Sequence, residues 1–263
     1  TALEVQAGEA NRGLGELVDF GLLIRPNIRY QITHALAHTY ARASLTPPGN
    51  SLAHLAEYYD NFIRKQKQQG LTGYSLLDAQ RDHILAVQSA CNKAGLWEAV
   101  RAITWAVEEY LDRQGQWVDR IAVVQAGLEA ARSDQHRYDE GEFLNLLGLA
   151  YAGLGELRKA IKHYEKALKI SREIGNRRSE GAVLGNLGNA YRNLGEPRKA
   201  IEQHEKALRI SREVEDRRSE GAQLGNLGNA YAELGELRKA IEYHKQALKI
   251  SREIEDRKGE GAD

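Results

Sequence analysis

The sequence predicts an all-α fold, built as a stack of antiparallel helix pairs that follows a short segment of a different type. Residues 140–259 are one 40-residue unit written three times. Within each unit, apolar residues recur at spacings of three and four, and glycine interrupts the pattern near the middle. A unit of this length cannot bury its apolar face alone and uses the face of its neighbour.

The middle repeat shows how one unit is expected to fold. Leu184, Leu187 and Tyr191 mark one face of a first helix, helix A. Gly195 suits the left-handed conformation that ends a helix, and Pro197 suits the first turn of helix B. Gly188 in helix A and Ala200 in helix B allow the two helices to approach closely. The side chains expected to cap the following helix A are Asn176, Asp216 and Asp256.

The repeat pattern resembles that of the tetratricopeptide repeat family. The middle copy reads Leu184-x2-Leu187-Gly188-x2-Tyr191, followed by Ala200, His204 and Ala207. It departs from the family pattern where Leu184 replaces Trp, where His204 and His244 replace an aromatic residue, and where Arg212 replaces the last Pro. The resemblance implies a right-handed superhelical stack. The longer unit is similar to the repeats of Pins-type polarity adaptors and of bacterial regulatory ATPases.

The 40-residue spacing of the repeats continues upstream of residue 140, and this continuation predicts the domain organisation. Residues 100–139 read as a degenerate repeat, and residues 46–99 as a linker and helical connector with helices over 52–67 and 76–94. The three full repeats are 140–179, 180–219 and 220–259. Residues 260–263 repeat the opening of each unit, so we expect the chain to be part of a longer protein.

Residues 1–45 do not follow the repeat. A helix over 13–20, strands over 22–24 and 28–32, and a helix over 34–43 match the C-terminal part of a winged-helix domain with a small β-hairpin. The string LVDFGLLIRPNIRYQITHALAHTYARA resembles the segment that ends the nucleotide-binding module of STAND-type ATPases, including NB-ARC proteins. The resemblance implies that His34 is a nucleotide sensor in the parent protein. His34 and His38 have the spacing of two metal ligands, but no third ligand is suggested nearby, so no metal site is predicted.

The family resemblance implies that the A helices line a ligand-binding groove. Small residues would leave its floor open, and carboxamides offer donors and acceptors to the backbone of an extended peptide. An alternative for Asn186 and Asn226 is hydrogen bonding within the array. The predicted floor consists of Asn145, Leu149, Ala182, Gly185, Asn186, Asn189, Arg192, Asn193, Gly225, Asn226, Asn229 and Glu233. The predicted rim, suited to carboxylates or phosphates, consists of Arg177, Arg178, Arg217 and Arg218.

Composition limits the remaining classes of function. The 37 basic and 37 acidic residues cancel, so binding of nucleic acid through the repeats is not expected. No signal peptide or long apolar span is present, and the single cysteine, Cys91, suits a reducing compartment, so we expect a cytoplasmic protein without membrane association. No GxxxxGK[ST] motif and no catalytic constellation appear, so we expect neither a cofactor nor enzymatic activity in this chain.

Two functions remain at this point. The first is the protein- or peptide-binding sensor array of a STAND-type ATPase, which would hold its own ATPase module inactive until a ligand binds. The second is a stand-alone adaptor that bridges proteins without an ATPase. A third expectation concerns the last helix B, where Ile241, Leu248 and Ile250 should leave an apolar edge that favours end-to-end self-association.

Overall fold

The computed structural model describes residues 23–24, 31–32 and 51–260, with the side chains of residues 52–255. The chain divides into two compact units, Thr1–Ala99 and Val100–Asp263. The described residues contain strands β1 (Leu23–Ile24) and β2 (Gln31–Ile32) and helices α1 (Ser51–Lys67), α2 (Leu71–Lys93), α3 (Trp97–Arg113), α4 (Trp117–Ser133), α5 (Arg137–Gly153), α6 (Leu157–Glu173), α7 (Arg177–Asn193), α8 (Pro197–Glu213), α9 (Arg217–Glu233) and α10 (Leu237–Glu260).

The first unit contains β1, β2, α1 and α2. The two strands pair antiparallel, with Leu23 opposite Ile32 and Ile24 opposite Gln31. The other residues of the predicted winged-helix segment, His34 among them, lie outside the described residues, so that prediction is not tested. Helix α2 begins at Leu71, five residues before the predicted 76, after a turn in which Gly70 has φ +62.

Helices α1 and α2 approach closely at one glycine. A Cβ on Gly73 would lie 1.9 Å from the backbone oxygen of Gln66, so only glycine fits this contact. Ile63 from α1 and Leu77 from α2 are fully buried. Cys91 is also buried, and burial raises the pKa of its thiol to about 11, so the thiolate is scarce at neutral pH.

The second unit is a stack of helix pairs. Its three repeats are the helix pairs α5–α6, α7–α8 and α9–α10, which begin at positions 137, 177 and 217, respectively. The turn within each pair has a glycine with positive φ, namely Gly155 at +77, Gly195 at +80 and Gly235 at +77. The left-handed conformation predicted for Gly195 is therefore confirmed, and the fold of this unit is an all-helical repeat solenoid.

Two of the three predicted helix caps are present in the structure. The side-chain oxygens of Asn176 and Asp216 accept hydrogen bonds from the backbone N–H groups of Ser179 and Ser219, each at 3.0 Å. The prediction of a cap at Asp256 is wrong, because α10 continues through this position to Glu260. A further cap, not predicted from the sequence, is His136, whose Nδ1 accepts a hydrogen bond from the N–H of Asp139.

The core of the second unit runs continuously from one repeat to the next. Ile201 and Leu208 of α8 share an apolar cluster with Leu224 and Leu227 of α9, the first helix of the following repeat. Tyr164 of α6 lies against Gly148 of α5, so that helix A and helix B of one repeat also pack closely. Each helix A therefore covers two B helices, its own and the preceding one, as expected for a solenoid.

Candidate binding face

The predicted groove residues lie on the A helices α5, α7 and α9, which are neighbours in the stack. Asn186 Nδ2 of α7 donates to Asn145 Oδ1 of α5 at 2.9 Å. Between α7 and α9, Nη1 of Arg192 lies 3.7 Å from Oε1 of Glu233. We call this surface the A-helix face; it comprises Asn145, Leu149, Ala182, Gly185, Asn186, Asn189, Arg192, Asn193, Gly225, Asn226, Asn229 and Glu233.

The polar side chains of the A-helix face differ in their availability. Asn145 is buried, with 8% of its surface exposed, and its side-chain oxygen is occupied by Asn186. Asn189 and Asn226 are half-buried, whereas Asn229 is exposed. The predicted alternative of a hydrogen bond within the array is therefore confirmed for Asn186. Asn189 and Asn229 occupy equivalent positions of successive repeats, and Asn229 is the more exposed of the two.

The floor of the A-helix face is open in one repeat and filled in another. A Cβ on Gly185 would lie 2.8 Å from Nε2 of Gln223, so this glycine is covered by a side chain of α9. The equivalent glycine, Gly225, has nothing within 4 Å of that position. The space expected from the small residues is therefore present near Gly225, and the sequence pattern alone did not distinguish the two glycines.

Two of the four arginines of the predicted rim form ion pairs with glutamates. Arg177 binds the carboxylates of Glu180 and Glu213, and these hydrogen bonds raise the pKa of its guanidinium. Arg217 in the same way binds Glu220 and, at 2.6 Å, Glu253. Arg178 and Arg218 have exposed side chains. Arg177 and Arg217 thus join the two helices of one repeat, and Arg178 and Arg218 lie where a ligand can reach them.

A second arginine joins each repeat to the one before it. Nε of Arg172 donates to Glu180 at 2.8 Å, and Nε of Arg212 donates to Glu220 at 2.8 Å. Glu180 is only 8% exposed, so its charge is stabilised by Arg172 and Arg177 together. These pairs were not predicted from the sequence, because their separation of eight residues is not the spacing of three or four at which side chains meet on one helix.

A buried histidine lies behind the A-helix face. His204 of α8 is fully buried, and its Nδ1 lies 2.8 Å from Oε1 of Gln223, the side chain that covers Gly185. Its Nε2 is buried without a hydrogen-bond partner among the described atoms. Burial lowers the pKa of His204, and the positive charge of Arg192 in α7 lowers it further. The imidazole is therefore neutral at pH 7 and donates its Nδ1 proton to Gln223.

The described residues offer no metal centre and no membrane span. Among them, no three His, Cys, Asp or Glu side chains form a group that could hold a metal ion. None of the described helices is long and apolar enough to cross a bilayer. The arrangement of the A-helix face is instead one of carboxamides, small residues and a single Arg192–Glu233 ion pair, which suits hydrogen bonding to another polypeptide.

Comparison with known proteins identifies the class of these repeats. Residues 139–213 and 179–253 match the tetratricopeptide repeat family model. Together with the helix pairs described above, this match shows that residues 139–253 form a tetratricopeptide repeat array. No curated protein sequence matches the chain.

Solved structures show the same fold at low sequence identity. BtubC from P. vanneervenii has a TM-score of 0.60 and 17% identity, over 97% of this chain and 93% of that one. A Rap protein complexed with competence and sporulation factor has a TM-score of 0.60 and 17% identity, over 84% of this chain and 59% of that one. Aspartyl phosphate phosphatase F from Bacillus subtilis has a TM-score of 0.63 and 14% identity, over 97% of this chain and 67% of that one. Identities at this level establish the fold alone.

Proposed function

We propose that the A-helix face binds an extended segment of a partner protein or peptide. The observation that carries this proposal is the pair Asn189 and Asn229, which occupy equivalent positions on successive A helices; Asn189 is half-buried, and Asn229 is exposed one turn from the open space at Gly225. A carboxamide both donates and accepts, so two of them in repeat register suit the alternating N–H and C=O groups of an extended backbone. The fold likeness to a Rap protein complexed with competence and sporulation factor supports a binding role.

Specificity would come from charges at the two ends of this surface. Arg178 and Arg218 are exposed near the first turns of α7 and α9, and Glu233 is exposed at the last residue of α9. A ligand with an acidic residue near the two arginines and a basic residue near Glu233 would gain attraction at both ends. Asn186 has a structural role in this proposal, since it is already bonded to Asn145.

The proposal extends to the regulation of an ATPase. In this view the array is the sensor of a STAND-type signal-transduction protein in the cytoplasm, and ligand binding at the A-helix face releases an ATPase module that the array holds inactive. The resemblance of residues 17–43 to the end of the STAND nucleotide-binding module supports this view. His34 would contact the nucleotide phosphate in that protein, and this chain itself would carry out no catalytic step.

Binding at the A-helix face can be tested by a double variant. Asn189→Ala with Asn229→Ala should lose the partner that the wild-type chain recovers, because two backbone-directed hydrogen bonds are removed without loss of a core contact. Asn61→Ala is the matched control, since Asn61 is exposed on α1 and lies outside the array. The measurement is affinity for the purified partner by calorimetry, with helicity checked by circular dichroism. Equal affinity in the double variant would place binding elsewhere.

The regulatory part of the proposal has a separate test. The gene that encodes this chain should encode a GxxxxGK[ST] motif upstream of Thr1, within a few hundred codons, because that motif supplies the phosphate-binding loop of the ATPase. Addition of the partner to that full-length protein should then raise ATP turnover. An upstream region without the motif would leave the stand-alone adaptor as the function, with the A-helix face unchanged.

A further inference from the structure

The junction between α8 and α9 differs in its core from the preceding junction, between α6 and α7. At the α6–α7 junction, Tyr164 and Val183 are buried in one apolar cluster. The equivalent residues at the α8–α9 junction are His204 and Gln223, which are buried as well, with Nδ1 of the imidazole 2.8 Å from Oε1 of the carboxamide. The α8–α9 junction therefore has a polar pair where its neighbour has an apolar contact.

The turn that joins α8 and α9 also differs from its counterpart. Glu215 has φ +55 in this turn, whereas the equivalent residue between α6 and α7 is Gly175, with φ +68. A residue with a Cβ is strained in this left-handed conformation, and glycine is not. The closed α8–α9 junction thus carries a backbone strain that the α6–α7 junction lacks, and separation of the two helices would relieve it.

The surroundings of His204 do not accommodate a positive charge. Its Nε2 is buried and has no hydrogen-bond partner among the residues that the structure describes. The ring lies against α7, where a Cβ on Gly188 would be 2.5 Å from Cε1 and Nε2. The charged group that acts on the ring is Arg192 of α7, which lies 3.7 Å from Glu233 of α9, and the contact from α9 is the uncharged Gln223. A second proton on the imidazole would be a buried charge without an acceptor.

Proton uptake by His204 therefore favours an open junction. Burial lowers the pKa of His204 in the closed junction, and the hydrogen bond with Gln223 opposes this effect only in part. In an open junction the imidazole is hydrated, and its pKa returns towards the ordinary value of about 6.5. Because protons bind more readily to the open form, the closed form is fully stable above about pH 6.5 and loses stability as the pH falls below that value.

We propose that the junction of α8 and α9 is a pH-sensitive hinge, at which protonation of His204 separates α9 and α10 from the preceding repeats. Tyr164 and Val183 keep the α6–α7 junction closed under the same conditions. The hinge crosses the A-helix face, since Asn189 lies on α7 and Asn229 on α9. A ligand that contacts both carboxamides would bind the closed form and be released at acid pH. This consequence rests on the function proposed for the A-helix face, whereas the hinge itself does not.

Backbone amide exchange tests the hinge without any ligand. The 263-residue chain is compared at pH 7.5 and 5.5 by hydrogen–deuterium exchange and mass spectrometry, with correction for the intrinsic effect of pH on exchange. A separated helix pair is only marginally stable, so its amides exchange when the junction opens. Protection of α9 should fall by about three- to tenfold at pH 5.5, tenfold being the limit for a group of pKa about 6.5. Protection of α5 and α6 should not fall, and an equal loss there would overturn the proposal, because the unfolding would then be global.

A double variant tests whether His204 is the group that titrates. His204→Tyr with Gln223→Val copies the α6–α7 junction and should abolish the pH-dependent loss of protection in α9. His163→Tyr on α6 is the matched control, because Tyr243 occupies the equivalent position and shows that tyrosine fits there. The control should keep the wild-type pH dependence of α9. A double variant with the same pH dependence as the wild-type chain would overturn the proposal.

A change in the turn tests where the hinge lies. Glu215→Gly copies Gly175 and should raise the protection of α9 by about fivefold at both pH values, because it removes the strain of the left-handed conformation and retains His204. Gln135→Gly makes the same kind of change at φ +54 in the turn between α4 and α5, and it should leave α9 unchanged. Unchanged protection of α9 in Glu215→Gly would overturn the assignment of the hinge to this turn.

Discussion

Nδ1 of His204 in α8 lies 2.8 Å from Oε1 of Gln223 in α9, and both side chains are buried. The equivalent pair in the preceding repeat is Tyr164 and Val183, which are both buried apolar contacts. The same structural position thus holds a histidine in one repeat and, in its neighbour, a tyrosine whose pKa is raised further by burial and which stays neutral at acid and neutral pH. We therefore expect the junction of α8 and α9 to lose stability at acid pH.

The first prediction concerns that pH dependence. Because the pKa of His204 is lowered on folding, protons bind more readily to the unfolded chain, so stability is full above the unfolded-state value of about 6.5 and falls as the pH decreases below it. His204→Tyr with Gln223→Val copies the preceding repeat and should remove this loss. Between pH 7.5 and 5, the Tm of the wild-type chain should fall by about 2–4 °C more than that of the variant, the shift that about 1 kcal/mol gives in a chain of this size.

His163 does not affect this comparison. Its pKa is also lowered by burial, but it is present in both proteins and its contribution cancels. Thermal unfolding followed by circular dichroism at several pH values is the measurement. Parallel curves of Tm against pH for the two proteins would show that His204 does not control the acid sensitivity.

The second prediction compares two glycines on A helices. A Cβ on Gly188 would lie 2.5 Å from Cε1 and Nε2 of His204, so Gly188→Ala should destabilise the chain by about 1–3 kcal/mol through overpacking. Gly225 has open space at the same distance, so Gly225→Ala should stabilise it by up to about 1 kcal/mol through better helix propensity. Urea unfolding of both variants measures the two changes. Changes of the same sign would contradict the packing described for Gly188.

The third prediction concerns the ion pairs between repeats. Glu180→Gln should destabilise the array by about 1–3 kcal/mol, because it removes a nearly buried carboxylate that binds Arg172 and Arg177. Glu202→Gln is the control, since Glu202 is exposed and pairs with Lys206 of the same helix at 2.6 Å. Its effect should be small, as for most exposed pairs. Thermal melts of equal midpoint for both variants would mean that the junction ion pairs add little stability.

The fourth prediction separates structural from binding carboxamides. Asn186→Ala should cost about 1–2 kcal/mol of unfolding free energy, since Oδ1 of the buried Asn145 loses its donor. Asn229→Ala should leave stability unchanged, because Asn229 is exposed. Calorimetric melts of the two single variants give the comparison. If Asn186→Ala were neutral, the hydrogen bond to Asn145 would have no structural role.

Much of the array could be predicted from the sequence because its signals are local. The period of 40, the apolar spacing of Leu184 and Leu187, the turn at Gly195 and the caps at Asn176 and Asp216 all depend on residues close together in the chain. The cap predicted at Asp256 was wrong because α10 continues past the point where the earlier repeats turn. Repetition of a sequence motif does not by itself repeat its structure.

The sequence by itself determined the repeat unit, its two helices, its turn and the face that each helix buries. Only the tertiary structure decided which equivalent residues differ in environment: Asn186 is bonded whereas Asn229 is exposed, and Gly185 is covered whereas Gly225 is open. It also decided that Arg177 of α7 binds Glu213 of α8. The physical reason is that a helix pattern depends on near neighbours in the chain, while these contacts depend on which side chain the next repeat places opposite each position.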